Sequence, residues 1–329
     1  MKYLLLFSTL LIFYFGYAQN RTEILLDKNW KFSRTADSGF VEPAFDDKKW
    51  QSVRIPHDWA IYGPFSPTND KQVMAIAQDG QKEALEHAGR TGGLPFVGIG
   101  QYRTRFKSDV FTKGKRAQLV FDGAMSNAQV YINGRKVGYW PYGYNTFHFD
   151  VTEFLHSDGA ENTLAVHLEN LPQSSRWYPG AGLYRNVHLI ITDDIHIPVW
   201  GIQITAPVIK KEYAKVQIKT KIKTDNTQTI NYTLKTAILN AKGDTVGRIS
   251  TNLTAYDDQI FTQDVLVQNP EVWDLEHPHM YRAVSQLYSD EQLKDEVETP
   301  FGIRSIAVRL VEIRPTVSPL AFNIAVFSV

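Results

Sequence analysis

Apolar and polar positions alternate along most of this chain with a period of two, in short runs broken by turn residues. In Lys215-Val216-Gln217-Ile218-Lys219-Thr220-Lys221-Ile222-Lys223 the Lys and Gln positions share one face and Val216, Ile218 and Ile222 the other. That is a strand with one wet and one buried side. Ile230 to Leu234 repeats the pattern, and Thr262 to Val267 and Tyr281 to Tyr288 supply two more strands. Upstream, Val130 and Ile132 precede Asn133-Gly134, and Val137 and Tyr139 follow it. Asn-Gly provides the two positive-φ residues of a type I′ turn, so this stretch predicts a β-hairpin. Thr163 to Leu168 alternates again, and Val187 to Ile191 is a short apolar strand. Such spacings describe antiparallel sandwiches rather than βαβ units. From about Ile195 onward, roughly seven short strands over about 110 residues suggest an immunoglobulin-like sandwich.

Two stretches leave this pattern. Between Pro64 and Gly100, Gly, Pro, Asp and Gln punctuate the chain and only Gln81 to His87 reads as helical. A long excursion inside a compact β domain serves function or stays unstructured, which makes it a candidate binding loop. At the far end, Arg309, Glu312 and Arg314 stand among apolar residues without a clean period, and Ala321 to Val329 is nearly all apolar.

The N-terminus carries a different signal. Met1-Lys2 is a short positive region, Tyr3 to Tyr17 an apolar run, and Gly16-Tyr17-Ala18 offers small residues where a signal peptidase reads. Polar Gln19-Asn20-Arg21-Thr22 ends the run short of the ~20 residues a membrane span needs. The reading is a removable signal peptide over residues 1–18, cleaved after Ala18, and a secreted or periplasmic protein with no membrane span once it is removed. With no Cys in 329 residues, stability must come from burial rather than disulfides, and thiol catalysis is excluded.

Charge then narrows the partners. Lys plus Arg equals Asp plus Glu at 35 each, leaving no electrostatic footprint for nucleic acid or an anionic membrane. A neutral ligand such as a sugar fits this balance. Among the nine His residues the closest pair is His277-Pro278-His279, which lacks a carboxylate set, so no metal site and no cofactor are expected.

Two clusters carry candidate chemistry. Trp30 and Trp50 read as core, but Pro56-His57-Asp58-Trp59 has no packing reason to group Pro, His and Asp. These residues are expected to shape a turn, with Asp58 bonding nearby backbone amides. The densest cluster is Ser174-Ser175-Arg176-Trp177-Tyr178-Pro179-Gly180-Ala181-Gly182-Leu183-Tyr184-Arg185. Trp177, Tyr178 and Tyr184 offer flat apolar faces, and Arg176 and Arg185 offer forked donors, a combination suited to sugar C–H groups and hydroxyls. The alternative is a structural loop, with Arg185 in an internal ion pair.

In order, these pieces resemble the family 2 glycoside hydrolases of the β-galactosidase kind. The shared run is Trp30, Trp50, Pro56-His57-Asp58-Trp59, Gly100-Gln101-Tyr102-Arg103, Phe121-Asp122-Gly123, Asn133-Gly134, Gly143-Tyr144, Asp150-Val151-Thr152 and Arg176 through Arg185. Pro270-Glu271-Val272-Trp273, His277-Pro278 and Phe301-Gly302-Ile303-Arg304 continue it, so the resemblance covers about residues 24 to 306.

It implies an all-β arrangement: a jelly-roll sugar-binding domain over residues 19–192, then an immunoglobulin-like β-sandwich over residues 193–306. A TIM barrel would follow, in which two Glu residues about 5 Å apart perform retaining hydrolysis. Only 25 residues follow Arg304, against the ~250 of such a barrel, so the barrel and its catalytic pair are expected to be absent. Residues 307–329 then read as an atypical tail, from a premature stop or a frameshift. By the resemblance, Arg176, Trp177 and Tyr178, with His57 and Asp58 and the loop from Pro64 to Gly100, would border a β-galactoside-like carbohydrate. The rival reading is a non-catalytic carbohydrate-binding module.

Overall fold

The computed structural model of the chain describes residues 21–74, 85–87, 94–173, 179–225, 230–255, 258–305, 307–312 and 323–328. The first part is built from β1 (Thr22–Leu25), β2 (Trp30–Ser33), β3 (Gln51–Val53), β4 (Gln72–Met74), β5 (Leu85–His87), β6 (Gly98–Phe106), β7 (Arg116–Phe121), β8 (Ala128–Ile132), β9 (Arg135–Trp140), β10 (Phe147–Asp150), β11 (Asn162–Asn170) and β12 (Val187–Thr192). A four-stranded sheet in the order β1-β12-β7-β10 faces a six-stranded sheet in the order β3-β2-β6-β11-β8-β9. The pairings are antiparallel, and the two inner faces enclose Trp30, Phe32, Tyr102, Leu119, Phe121, Val130, Leu164 and Leu189. The predicted hairpin forms as β8–β9, with Asn133 at φ 51° and Gly134 at φ 80°.

Residues 163–166 of β11 are buried on both faces rather than alternately. The physical reason is a second cover. The segment from Asp37 to Trp50 lies over the outer face of the large sheet, where Arg103 of β6 donates to the Phe40 carbonyl and, through Nε, to Asp47 Oδ2 at 2.9 Å. Gln101 closes the same seam, accepting from Asp37 N at 3.1 Å and donating to Asp37 O at 3.2 Å.

Within the excursion, the helical expectation for Gln81 to His87 fails where the chain is described. Residues 85–87 form β5, which pairs with β4, as Leu85↔Met74 and His87↔Gln72. A seven-residue helical pattern is too short to offset nucleation on its own, and cross-strand pairing wins.

The second part comprises β13 (Ile202–Ile209), β14 (Tyr213–Ile222), β15 (Ile230–Leu239), β16 (Thr245–Ala255), β17 (Gln259–Gln268), β18 (Tyr281–Ser289) and β19 (Gln292–Phe301). Its sheets run β13-β14-β17 and β16-β15-β18-β19, seven antiparallel strands in an immunoglobulin-like sandwich. Val216, Ile218 and Ile222 point inward as the alternation requires. A polar tie crosses the interior: Thr236 donates to Gln263 Oε1 at 2.7 Å, and Gln263 Nε2 donates to the Leu234 carbonyl at 3.0 Å. Beyond it, β20 (Ala307–Glu312) pairs with β21 (Asn323–Ser328) in a separate two-stranded sheet. No closed barrel occurs among the described residues, and no helix among them is long and apolar enough to cross a membrane.

Candidate functional site

The loops at one end of the first sandwich converge on a short backbone ladder. His57 N donates to Leu183 O at 2.8 Å and Trp59 N to Ala181 O at 3.0 Å. Asp58 sits between them, and its Oδ1 accepts from Ala60 N at 3.0 Å and from Ala181 N at 3.1 Å. The carboxylate thus bonds backbone amides on two segments more than 100 residues apart in sequence, which fixes the turn against residues 180–183. On the other side of that segment, Gly182 N donates to Met125 O at 3.0 Å and Met125 N to Gly182 O at 2.9 Å.

Glycine is required at 182. Its φ is +117°, and an added Cβ would lie 2.4 Å from the His57 carbonyl oxygen and 2.5 Å from the Tyr102 hydroxyl. Gly100 is needed for a different reason: the Trp59 ring packs flat where its Cβ would be, at 2.2 Å.

His57 is buried among Phe32, Tyr62 and Tyr102 rings, and its Nδ1 lies 2.7 Å from the Tyr102 hydroxyl. Burial lowers its pKa below the ordinary 6.5, with the positive Arg34 adding to the effect and Asp58 opposing it. Burial likewise pushes the Tyr102 phenol well above 10.0. Both groups are therefore neutral near pH 7 and hold the turn by a neutral hydrogen bond.

The described flanks of residues 174–178 are anchored on both sides. Gln173 N donates to Asp70 Oδ1 at 2.6 Å and Gln173 Nε2 to the Lys71 carbonyl at 3.2 Å. Asn170 Nδ2 donates to Gly180 O at 2.8 Å. The start of the 64–100 excursion is also tied to its end, through Asn69 Nδ2 to Leu94 O at 2.6 Å and Ser66 N to Leu94 O at 2.9 Å. So Asp70 meets the segment that enters residues 174–178, through Gln173, and the His57–Asp58 turn meets the segment that follows them. Arg176, Trp177 and Tyr178 lie outside the described residues. Asp70, Gln173 and Tyr102 were not singled out from the sequence as site residues, since only the folded register shows which amide each one meets.

Arg185 departs from the expected ion pair. Its guanidinium stands over the Tyr184 ring, 5.6 Å from the centroid, and its other contact is with the Asp122 carbonyl at 3.5 Å. The Asp122 carboxylate faces His188 Nε2 instead, at 3.2 Å.

What this end of the sandwich can do chemically is hold and orient. Asp47 is engaged by Arg103 and Arg105. Burial favours its protonated form, but hydrogen bonds from the two guanidinium groups outweigh that and keep its pKa below 3.8. Asp46 accepts from Lys48 N at 3.1 Å on the same turn. Neither is placed as a general acid, and glycoside hydrolysis needs an acid and a nucleophile facing one another.

Comparison with known proteins gives a consistent pattern. Residues 195–304 match the model described as glycosyl hydrolases family 2, and residues 100–178 match the glycosyl hydrolase 2 galactose-binding domain-like model. The chain is 34% identical over 283 residues to the β-galactosidase BoGH2A of Bacteroides ovatus, covering 85% of this chain and 31% of that protein. It is 31% identical over 288 residues to a putative β-glucuronidase of Formosa agariphila, covering 87% of this chain and 25% of that one. The structure of a glycosyl hydrolase family 2 member from Bacteroides cellulosilyticus superposes with a TM-score of 0.76 at 31% identity, over 87% of this chain and 36% of its own. The chain therefore spans about a third of the length of such relatives.

Proposed function

Because this chain belongs to glycoside hydrolase family 2, we propose that it is the non-catalytic, carbohydrate-facing portion of a secreted β-galactosidase-like glycosidase. The observation that carries the reading is the anchoring of both described flanks of residues 174–178, Gln173 at Asp70 on one side and residues 181–183 at the His57–Asp58 turn on the other. That turn lies outside the 100–178 match to the galactose-binding-like model and bonds residues 181 and 183, just beyond it. In this reading Arg176, Trp177 and Tyr178 contact the sugar, and His57 and Asp58 set the loop's path rather than touch ligand.

Hydrolysis belongs to a catalytic barrel, and this stretch contributes the rim of its pocket. Preference for a β-galactoside is supported by the 34% identity to a β-galactosidase, against 31% and 28% to β-glucuronidases. Export is supported by the apolar run after Met1-Lys2 and the small residues ending at Ala18. N-terminal sequencing of the exported protein should begin at Gln19.

The functional test is calorimetric titration of the 329-residue chain with a β-galactoside oligosaccharide, repeated for Arg176→Ala and Trp177→Ala. Binding that weakens in both variants supports the reading. Binding unchanged by either removes the loop from the site.

A further inference from the structure

We propose a second carbohydrate-contacting surface beside that rim, a platform made by Tyr142 and Tyr144 with Arg185 at its edge, which takes pyranose units of an extended neutral saccharide. This rests on the family reading above, but on different residues.

The geometry has three parts. Tyr142 and Tyr144 sit in the turn between β9 and β10, are 57% and 51% exposed, and meet edge to face with centroids 5.6 Å apart. Single exposed rings are ordinary on a folded surface, but here two of them touch and form one small apolar patch. Their turn is nevertheless held firmly. Trp140 Nε1 donates to Asn145 Oδ1 at 3.0 Å, the Tyr184 hydroxyl donates to the Gly143 carbonyl at 2.7 Å, and Asn127 N donates to Pro141 O at 3.1 Å. Gly143 is packed so closely on Met125 that a Cβ would lie 2.4 Å from its sulfur. The rings are therefore presented on an ordered support, which lowers the entropy lost on binding.

The second part is connectivity. Met125 pairs with Gly182 and Tyr184 bonds Gly143, so the platform is joined through two contacts to the strand segment that leads out of residues 174–178.

The third part is the polar edge. Arg185 lies over the Tyr184 ring, is exposed, and meets a backbone carbonyl at the limit of hydrogen-bond distance rather than a carboxylate. Its donors are available to ring hydroxyls. Aromatic faces for sugar C–H groups together with a planar fork of donors for hydroxyls suit a carbohydrate, and the chain's zero formal charge matches a neutral one.

The test uses the full 329-residue chain and a neutral galacto-oligosaccharide of several units. Calorimetry and thermal unfolding are run on wild type, Tyr142→Ala, Tyr144→Ala, the corresponding Phe variants, and Arg176→Ala. The Ala variants should weaken binding about tenfold, which is what losing one aromatic contact of this size amounts to, with unfolding temperature unchanged. The Phe variants should bind like wild type, since the ring face is kept. Full affinity in the double Tyr142→Ala/Tyr144→Ala variant overturns the platform. If Arg176→Ala alone abolishes binding, the rim reading stands and the platform falls. Loss in the tyrosine variants with Arg176→Ala silent does the reverse. Self-association of wild type that disappears in the double variant, with saccharide affinity unmoved, assigns the tyrosines to a protein contact and also overturns the proposal.

Discussion

Arg21, at the start of the first sandwich, clamps Asp295 of the second with both ends of its guanidinium: Nε to Oδ1 and Nη2 to Oδ2, each at 2.8 Å. The Asp295 side chain is fully buried, and its Oδ2 also accepts from Ile197 N at 2.7 Å. The two sandwiches are thus joined by a desolvated ion pair closed on the connecting segment. A second set of contacts lies nearby, where Arg116 meets Asp194 and Asp225, and Lys115 meets Asp193.

Removing the cation leaves a buried carboxylate without its counter-charge, which costs far more than a surface pair is worth. Arg21→Ala should destabilise the chain by about 3 kcal/mol in denaturant titration. Arg54→Ala, which removes a largely exposed cation from its pair with Asp27, should cost much less. Equal effects from the two would mean that the Arg21 clamp does not hold the sandwiches together.

Gly182→Ala tests the crowded ladder. Positive φ alone costs about 1 kcal/mol, which is all that Gly114→Ala and Gly243→Ala should lose, since nothing lies within 4 Å of a Cβ at either. At Gly182 the new carbon also meets backbone, so the loss should exceed about 2 kcal/mol and saccharide affinity should fall with it. Thermal unfolding of the three variants side by side decides this.

Asp58→Ala removes the acceptor shared by Ala60 N and Ala181 N. About 1.5–3 kcal/mol should be lost, the range for hydrogen bonds to a charged group. Hydrogen exchange should quicken at residues 179–183 while residues 202–209 of β13 stay as they were. Uniform loosening throughout would point to a global effect instead of a local tie.

Acid should weaken the fold before the carboxylates titrate. Burial lowers the pKa of His57, His148, His167 and His196 below the ordinary 6.5. The unfolded chain takes up protons there more readily than the folded one, so the stability tied to these groups is complete above pH 6.5 and declines as the pH falls below it. Denaturation midpoints measured from pH 8 to pH 5 should drop, and His57→Gln should flatten part of that slope.

Much of the architecture could be read directly from residue order. Lys215 to Lys223 alternates because one face of β14 is wet, and Asn133-Gly134 has the residues that two positive-φ positions demand. Asp58 acts on backbone amides as its neighbours suggested. Other features left no local trace. Asp47 and Arg103 are 56 residues apart and Arg21 and Asp295 are 274 apart, separations that no periodicity encodes. Leu85 to His87 forms a strand only because Gln72 to Met74 lies beside it. Arg185 looked like half of an ion pair, but the nearby Asp122 carboxylate was already turned toward His188. Tyr142 was not singled out and Tyr144 entered only through the shared run Gly143-Tyr144, because a Gly-containing turn gives no pattern by which ring exposure can be judged.

The claim on which the account rests is that this family 2 chain meets carbohydrate at one end of its first sandwich. Hydrogen–deuterium exchange of the full chain, with and without a saturating galacto-oligosaccharide, tests it most directly. Protection should appear in peptides covering residues 57–71, 141–146 and 171–185 and leave residues 202–301 unchanged. Protection confined to the second sandwich, or none at saturating ligand, would contradict it.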